Sequence, residues 1–461
     1  MIAPAAVQES RDAELIRAIG LGSAILFVIG SVIGSGIFLT TGVMAVSIPS
    51  ASLLLFAWML GGVLAIAGGL TYAEMGAMFP RSGGVYVFLK EAYGPLPAFL
   101  YGWAALLVVV SGGIAAVSVG FAEYVSYFVP AVSRQNVLFT LPTVVGAPVT
   151  ISTAQLVSVA SILILGSVNY IGVRSGNRTT AVLTAAKIAA LAAIPVLALA
   201  FARVTPQLTP VVPPELSRPV ASFGVAMIAV LWTYEAWYFV TYAAGEIDNP
   251  RRNLPLALVC GILALTMIYL TVNASYFYAL TIAELKGVTR IAERAAAALV
   301  GPSGATFVSL TVVVSTFGCN AAAILAGSRL LFAMAGDGVF FPAASRVHPR
   351  YRTPHLAIVG LTAWSALLAL SGTYEQLFTY VMFASILFSV ATGLALFRLR
   401  RKLPDHPRPY RTWGYPLVPI VFIAGSIAFV INTVMERPME SLAGLGLVAL
   451  GLPVYWYWRR V

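Results

Sequence analysis

Charge is scarce in this chain: only 10% of its 461 residues are Asp, Glu, Lys or Arg, where soluble domains carry roughly a quarter. Too few polar side chains remain to cover a water-facing surface, so a soluble globule is excluded and lipid is the solvent that fits. Histidine is nearly missing as well. His348, His355 and His406 are the three present, and none stands at metal-ligand spacing, which argues against a metal site. The two cysteines, Cys260 and Cys319, both fall in apolar stretches. That excludes a disulfide framework and leaves no outer-loop thiol for a disulfide-linked subunit. No Gly-x-x-x-x-Gly-Lys phosphate loop occurs, so ATP-driven transport finds no support. No nucleophile constellation is visible either, and neither an enzymatic reaction nor a cofactor is expected. The first 18 residues are polar and do not read as a cleavable signal peptide.

What the chain has in abundance is apolar sequence, 59% of its residues. A membrane-spanning helix needs about 20 such residues at about 1.5 Å of rise each. Twelve runs qualify, at 19–45, 51–79, 96–129, 150–171, 179–201, 219–245, 254–280, 305–334, 355–371, 374–398, 415–435 and 441–458. They are continuous rather than alternating, which excludes a transmembrane β-barrel. Only Gly372 and Thr373 separate two of them, so a tight hairpin is expected there. The formal net charge of +11 is distributed as an orientation signal rather than as a nucleic-acid surface. Most Lys and Arg fall in loops on one side, including Arg251, Arg252, Arg346, Arg350, Arg352 and the group from Arg398 to Arg411. That bias places both termini in the cytoplasm. The loops are too short to fold alone, so residues 1–461 read as one all-α membrane domain with 12 transmembrane helices.

Two runs look interrupted. In the first, Gly30, Gly34 and Gly36 lie within seven residues near mid-membrane, and each glycine costs a helix interior roughly 1 kcal/mol relative to Ala. In the sixth, Trp232, Tyr234, Glu235 and Trp237 set a carboxylate and aromatics at mid-depth. Two broken helices five spans apart fit a duplicated, inverted unit of five helices. On that reading residues 1–18 are a cytoplasmic segment, 19–201 and 219–400 are the two repeats, and 415–458 add two C-terminal helices.

An unwound helix exposes backbone groups that cost several kcal/mol in lipid unless they find partners. A zwitterionic ligand can supply them. Its carboxylate suits the N–H groups of Ser35, Gly36 and Ile37, and its ammonium suits the carbonyls of Ile29, Gly30 and Val32. The plainer alternative is close helix packing, since Gly30 and Gly34 fit the Gly-x-x-x-Gly spacing. An acid at the depth of Glu235 needs a partner: the substrate ammonium, a proton, Lys187, or a hydrogen bond between helices. Trp232, Tyr234 and Trp237 either wall a pocket or simply pack. Lys187 lies roughly 12 Å into its span, too deep for snorkelling alone to relieve its burial, so it reads as a proton carrier or a fixed cation. Arg329, Asp337, Glu74, Glu246 and Glu123 sit near helix ends, as interfacial ion pairs or parts of an inner gate.

These segments resemble the amino acid–polyamine–organocation superfamily, and most nearly its L-type amino acid transporter group. The resemblance is carried by Ile29 to Phe38 (IGSVIGSGIF), Tyr72 to Gly76, Pro80 to Tyr86, Gly94 to Trp103, Glu246 to Pro255, and Ser328-Arg329 with Ala333 to Gly338. It implies a five-plus-five inverted-repeat (LeuT-type) fold with helices 1 and 6 broken. It also implies secondary transport of amino acids across the cell membrane by alternating access, either by sodium-independent exchange or coupled to protons. Carried across, Ser35, Gly36 and Ile37 match the carboxylate-binding turn, Trp232 an aromatic gate, and Lys187 the lysine at a sodium-like site. Two positions depart from the pattern: many L-type members have a small residue at Glu235 and glycine at Ala236. A carboxylate in the pocket opens the alternative of cationic or polyamine substrates. A membrane sensor that binds amino acids without moving them is the alternative outside transport.

Overall fold

The computed structural model describes residues 17–141, 149–371 and 374–460. Residues 1–16 of the N-terminal segment and the hairpin at 372–373 lie outside the described residues. The apolar runs fold as helices. The first gives α1 (Leu21–Val32) and α2 (Gly36–Ser47), and α3 (Ala51–Met78) follows. Next come α4 (Val85–Tyr93), α5 (Pro95–Ala104) and α6 (Val110–Phe128), the last two joined by one π turn at Ala105–Val109. Then follow α7 (Thr153–Ile171), α8 (Val173–Ala200), α9 (Pro219–Tyr234) and a 3-10 segment at Trp237–Glu246. The chain continues through α10 (Pro250–Ala279), α11 (Ile282–Leu285), α12 (Ile291–Val300), α13 (Pro302–Gly336) and α14 (His355–Ala369). It closes with α15 (Tyr374–Lys402), α16 (Leu417–Glu436), α17 (Pro438–Ala449) and α18 (Gly451–Arg460). Among the described residues, ten helical stretches are long and apolar enough to cross a membrane, and Thr184–Ala200 and His355–Ala369 are shorter apolar helices. This is a multi-pass membrane protein.

The structure adds elements that hydropathy alone passed over. Val137–Leu141 and Val149–Ser152 pair as an antiparallel hairpin, so the chain is not wholly helical. Those strands are rich in Val, Phe and Thr, which favour an extended pleat. The short helices α4, α11 and α12 lie between spans and are too short or too polar to register as spans themselves. The final run divides at Leu450, because Pro453 cannot donate to the preceding turn.

The core forms where α10 packs along α3 and α1, and where α13 packs against α6, α8 and α1. Ion pairs fix the basic end. Fully buried Glu74, on the last turns of α3, accepts from Arg400 Nε and Nη2 at 3.0 and 2.7 Å and from the Thr412 N–H at 2.7 Å. Arg408 Nε stands 3.5 Å from the same carboxylate. The segment from Leu403 to Pro416 is thereby strapped to α3. At the same end Lys90 pairs with Asp337 at 2.7 Å, while at the opposite end, beyond α6, Arg134 pairs with Glu123 at 2.6 Å. Arg329 and Glu246 differ from the interfacial pairing expected of helix ends. Their contact at 2.6 Å is fully buried. The Ala18 and Ile19 N–H groups donate to the Glu246 carbonyl, so the entry to α1 is tied to the same place.

Candidate functional site

The first helix comes apart at Ile33, Gly34 and Ser35. Neighbours approach closely on both sides of Ser35, most tightly at Gly36. A Cβ at Gly34 would sit 3.0 Å from Cys319 Sγ, and one at Gly36 would run into the Thr233 side chain. The last carbonyls of α1 would be orphans without outside donors. Lys187 Nζ donates to the carbonyls of Gly30 and Ile33, each at 2.8 Å. Cys319 Sγ donates to Ser31 O at 2.9 Å, Tyr269 OH to Val32 O at 3.2 Å, and Ser315 Oγ to Ile33 O at 3.0 Å. Backbone N–H groups of Ile33 and Gly34 serve Ile29 O and Val32 O. The carbonyls of Ile29, Gly30 and Val32, expected to receive a ligand's ammonium, therefore each already accept a bond from the protein. Val32 O accepts two such bonds, so a ligand would have only the second lone pairs of Ile29 O and Gly30 O. At the other side of the break, the N–H groups of Gly36 and Ile37 open α2, where no preceding turn supplies an acceptor.

The second break follows Tyr234. Glu235 is extended, with φ −60° and ψ 165°, and Ala236 is left-handed, with φ 72° and ψ 3°. The chain then resumes as a 3-10 helix. A left-handed conformation costs a residue with a Cβ roughly 1–2 kcal/mol, so packing holds Ala236 there. Glu235 Oε1 accepts from Tyr238 OH and from Ser385 Oγ of α15, both at 2.5 Å. Lys187 reaches the first break instead of Glu235, and Glu235 forms no ion pair among the described residues. Of the partners open to Glu235 in the sequence, the structure supplies neighbouring hydroxyls.

Both breaks face one narrow cavity of about 50 Å³. Five of the sequence-derived residues line it: Val32, Ser35, Gly36, Trp232 and Glu235. The others stand apart from it. The Gly30 carbonyl is taken by Lys187, and the Ile29 carbonyl is used within its own turn. The Ile37 side chain is buried, and its carbonyl accepts from Tyr276 OH at 3.1 Å. Tyr234 points the opposite way from Trp232, donating to Trp58 O at 3.2 Å and packing edge-on to Tyr269. It lines a second, smaller cavity of about 30 Å³, together with Trp237, Tyr238 and Phe422. Glu235 borders both cavities.

Sequence reasoning missed several lining residues. Val110 and Gly113 come from α6, Cys319 and Asn320 from α13, and Val381 from α15. Asn320 is 1% exposed. Its Nδ2 donates to Ser118 Oγ at 2.7 Å and to Ile114 O at 3.2 Å, while its Oδ1 has no partner among the described residues. An amide in an otherwise apolar span was the signal that could have flagged it. No cluster of three or more His, Cys, Asp or Glu able to hold a metal occurs among the described residues.

A family model described as amino acid permease matches residues 19–446. Similar characterised proteins include the serine/threonine exchanger SteT of Bacillus subtilis, 30% identical over 98% of this chain and 99% of the relative. The human b(0,+)-type amino acid transporter 1 is 30% identical over 97% of this chain and 89% of its own length. The mouse Asc-type amino acid transporter 1 is 29% identical, over 98% and 83% respectively. These relatives are transporters, not enzymes. The chain belongs to the amino acid permease family of the amino acid–polyamine–organocation superfamily.

Proposed function

We propose that the chain is a secondary active transporter of amino acids that works by alternating access, as a sodium-independent exchanger or a proton-coupled carrier. The observation that carries this reading is the meeting of two broken helices at one cavity. There the N–H groups that open α2 suit a carboxylate. On this reading the bundle is a five-plus-five inverted repeat of 19–201 and 219–400, followed by two further helices, 12 spans in all. Both termini face the cytoplasm of a cell-membrane protein. Ser35, Gly36 and Ile37 hold the carboxylate, Trp232 covers the substrate, and the Lys187 ammonium, on the carbonyls of Gly30 and Ile33, takes the place of a coupling sodium ion. Exchange is favoured over symport by SteT, which is named for it.

A second reading is favoured by Glu235. Its carboxylate borders the cavity without a cationic partner among the described residues, which suits a substrate carrying a second ammonium, a cationic amino acid or a polyamine. The test is uptake into proteoliposomes in sodium-free buffer. Saturable uptake of a labelled neutral amino acid, accelerated by the same unlabelled amino acid inside, is the expected result. Binding without flux would identify a sensor. Putrescine uptake that Glu235→Gln abolishes, with leucine uptake spared, would establish the polyamine reading.

A further inference from the structure

Apart from the substrate cavity, a groove of about 790 Å³ opens at the basic end of the bundle, between α3 and α10. Its apolar wall on α10 consists of Leu256, Val259 and Leu263, and that on α3 of Ile66 and Leu70. Arg251 and Arg252 stand at its head, and Tyr410 and Trp413 of the strap held by Glu74 close its end. No carboxylate lines it among the described residues.

Three features specify an occupant. First, Arg252, Leu256, Val259 and Leu263 follow one another at spacings of four, three and four, so they form one stripe on α10. From Arg252 to Leu263 the helix rises about 16 Å, which matches one leaflet's share of an acyl layer about 30 Å thick. Second, both arginines are exposed, and neither forms an ion pair among the described residues. Two adjacent guanidinium groups suit a phosphodiester and repel an ammonium headgroup. Third, Trp413 is 75% exposed although its segment is anchored to α3. A tryptophan held outward beside a basic head group position is the side chain favoured at a lipid–water interface. We propose that this groove holds one anionic phospholipid, its phosphate between Arg251 and Arg252 and an acyl chain along Leu256, Val259 and Leu263.

The test is native mass spectrometry of the delipidated full chain, titrated with phosphatidylglycerol, with phosphatidylcholine, or with inorganic phosphate alone. Wild type should retain one phosphatidylglycerol in preference to phosphatidylcholine. At roughly 1 kcal/mol per basic residue, R251Q/R252Q should bind it about thirtyfold more weakly. R401Q/K402Q, which removes as much charge outside the groove, should bind it as wild type does. Leu263→Trp keeps both arginines but fills the groove, and it should also lower retention. Equal retention of both lipids, or equal losses in the two double variants, would overturn the proposal. So would displacement of the lipid by inorganic phosphate together with normal retention in Leu263→Trp, which would leave an anion site and no lipid site. Melting curves of each variant in detergent without added lipid separate loss of the groove from loss of the fold. A variant that melts well below wild type is replaced in the comparison by R251K/R252K, which keeps the charge and should retain the lipid.

Discussion

The two helix breaks meet at one cavity but are held in different ways. At the first, donors arrive from three neighbouring helices: Lys187 of α8, Tyr269 of α10, and Ser315 and Cys319 of α13. The break has no charged side chain of its own. At the second, the chain supplies its own carboxylate and one of that carboxylate's two donors, Tyr238, and only Ser385 comes from another helix. The first break is thus clamped from outside and sets geometry. The second displays chemistry, on a backbone that must adopt a left-handed residue to do so. On the proposed function, recognition of what is common to all amino acids would fall to the clamped break, and discrimination among side chains to the other.

Four substitutions probe that division. Lys187→Ala should have the largest effect, because it strips two charge-assisted bonds from buried carbonyls, each worth about 1.5–3 kcal/mol. Transport should disappear while membrane insertion persists, and normal uptake kinetics in proteoliposomes would refute the clamp. Gly36→Leu forces α2 away from Thr233. Overpacking of this kind costs about 1–3 kcal/mol, so binding should weaken on the order of tenfold to hundredfold for every amino acid alike. Thermal-shift titration reads this, and unchanged affinity would remove the turn from the site. Glu235→Gln should act selectively. Substrates with a second ammonium should lose about tenfold or more relative to neutral ones, and competition assays that show a uniform change would erase the distinction between the breaks. Ala236→Gly should have the smallest effect, raising stability by about 1 kcal/mol through relief of the left-handed strain. A lowered melting temperature would mean that the methyl group's packing outweighs that strain.

Much of this arrangement was legible before any coordinates. The apolar runs marked the helices, and the glycines between Gly30 and Gly36 marked the first break, since three within seven residues weaken a helix interior. Counting residues set Lys187 well inside its apolar run, and the structure buries it, at 1% exposure. What stayed hidden was direction. Tyr234 is two residues from Trp232, and on a helix that spacing turns a side chain to another face, so adjacency in sequence grouped residues that line different cavities. Partners far along the chain were hidden for a different reason. Ser385 and Cys319 come from apolar spans in which nothing local says which face meets the break, and only the Asn320 amide stood out from its surroundings. The 3-10 geometry after Ala236 carries no signature in Trp-Tyr-Phe-Val, because packing against neighbours rather than propensity determines it.

Glu74 gives the C-terminal third of the molecule a role in sealing it. Thr412 and Arg408 reach this buried carboxylate from a segment beyond α15, and His406 stacks on Phe79 at the same place. A chain cut after Lys402 would leave Glu74 with Arg400 alone and admit water to the end of α3, where the carboxylate is now fully enclosed. The last helices are therefore moored to the first half of the chain by a polar plug, and shortening the protein from its C-terminus should loosen an end that lies far away in sequence.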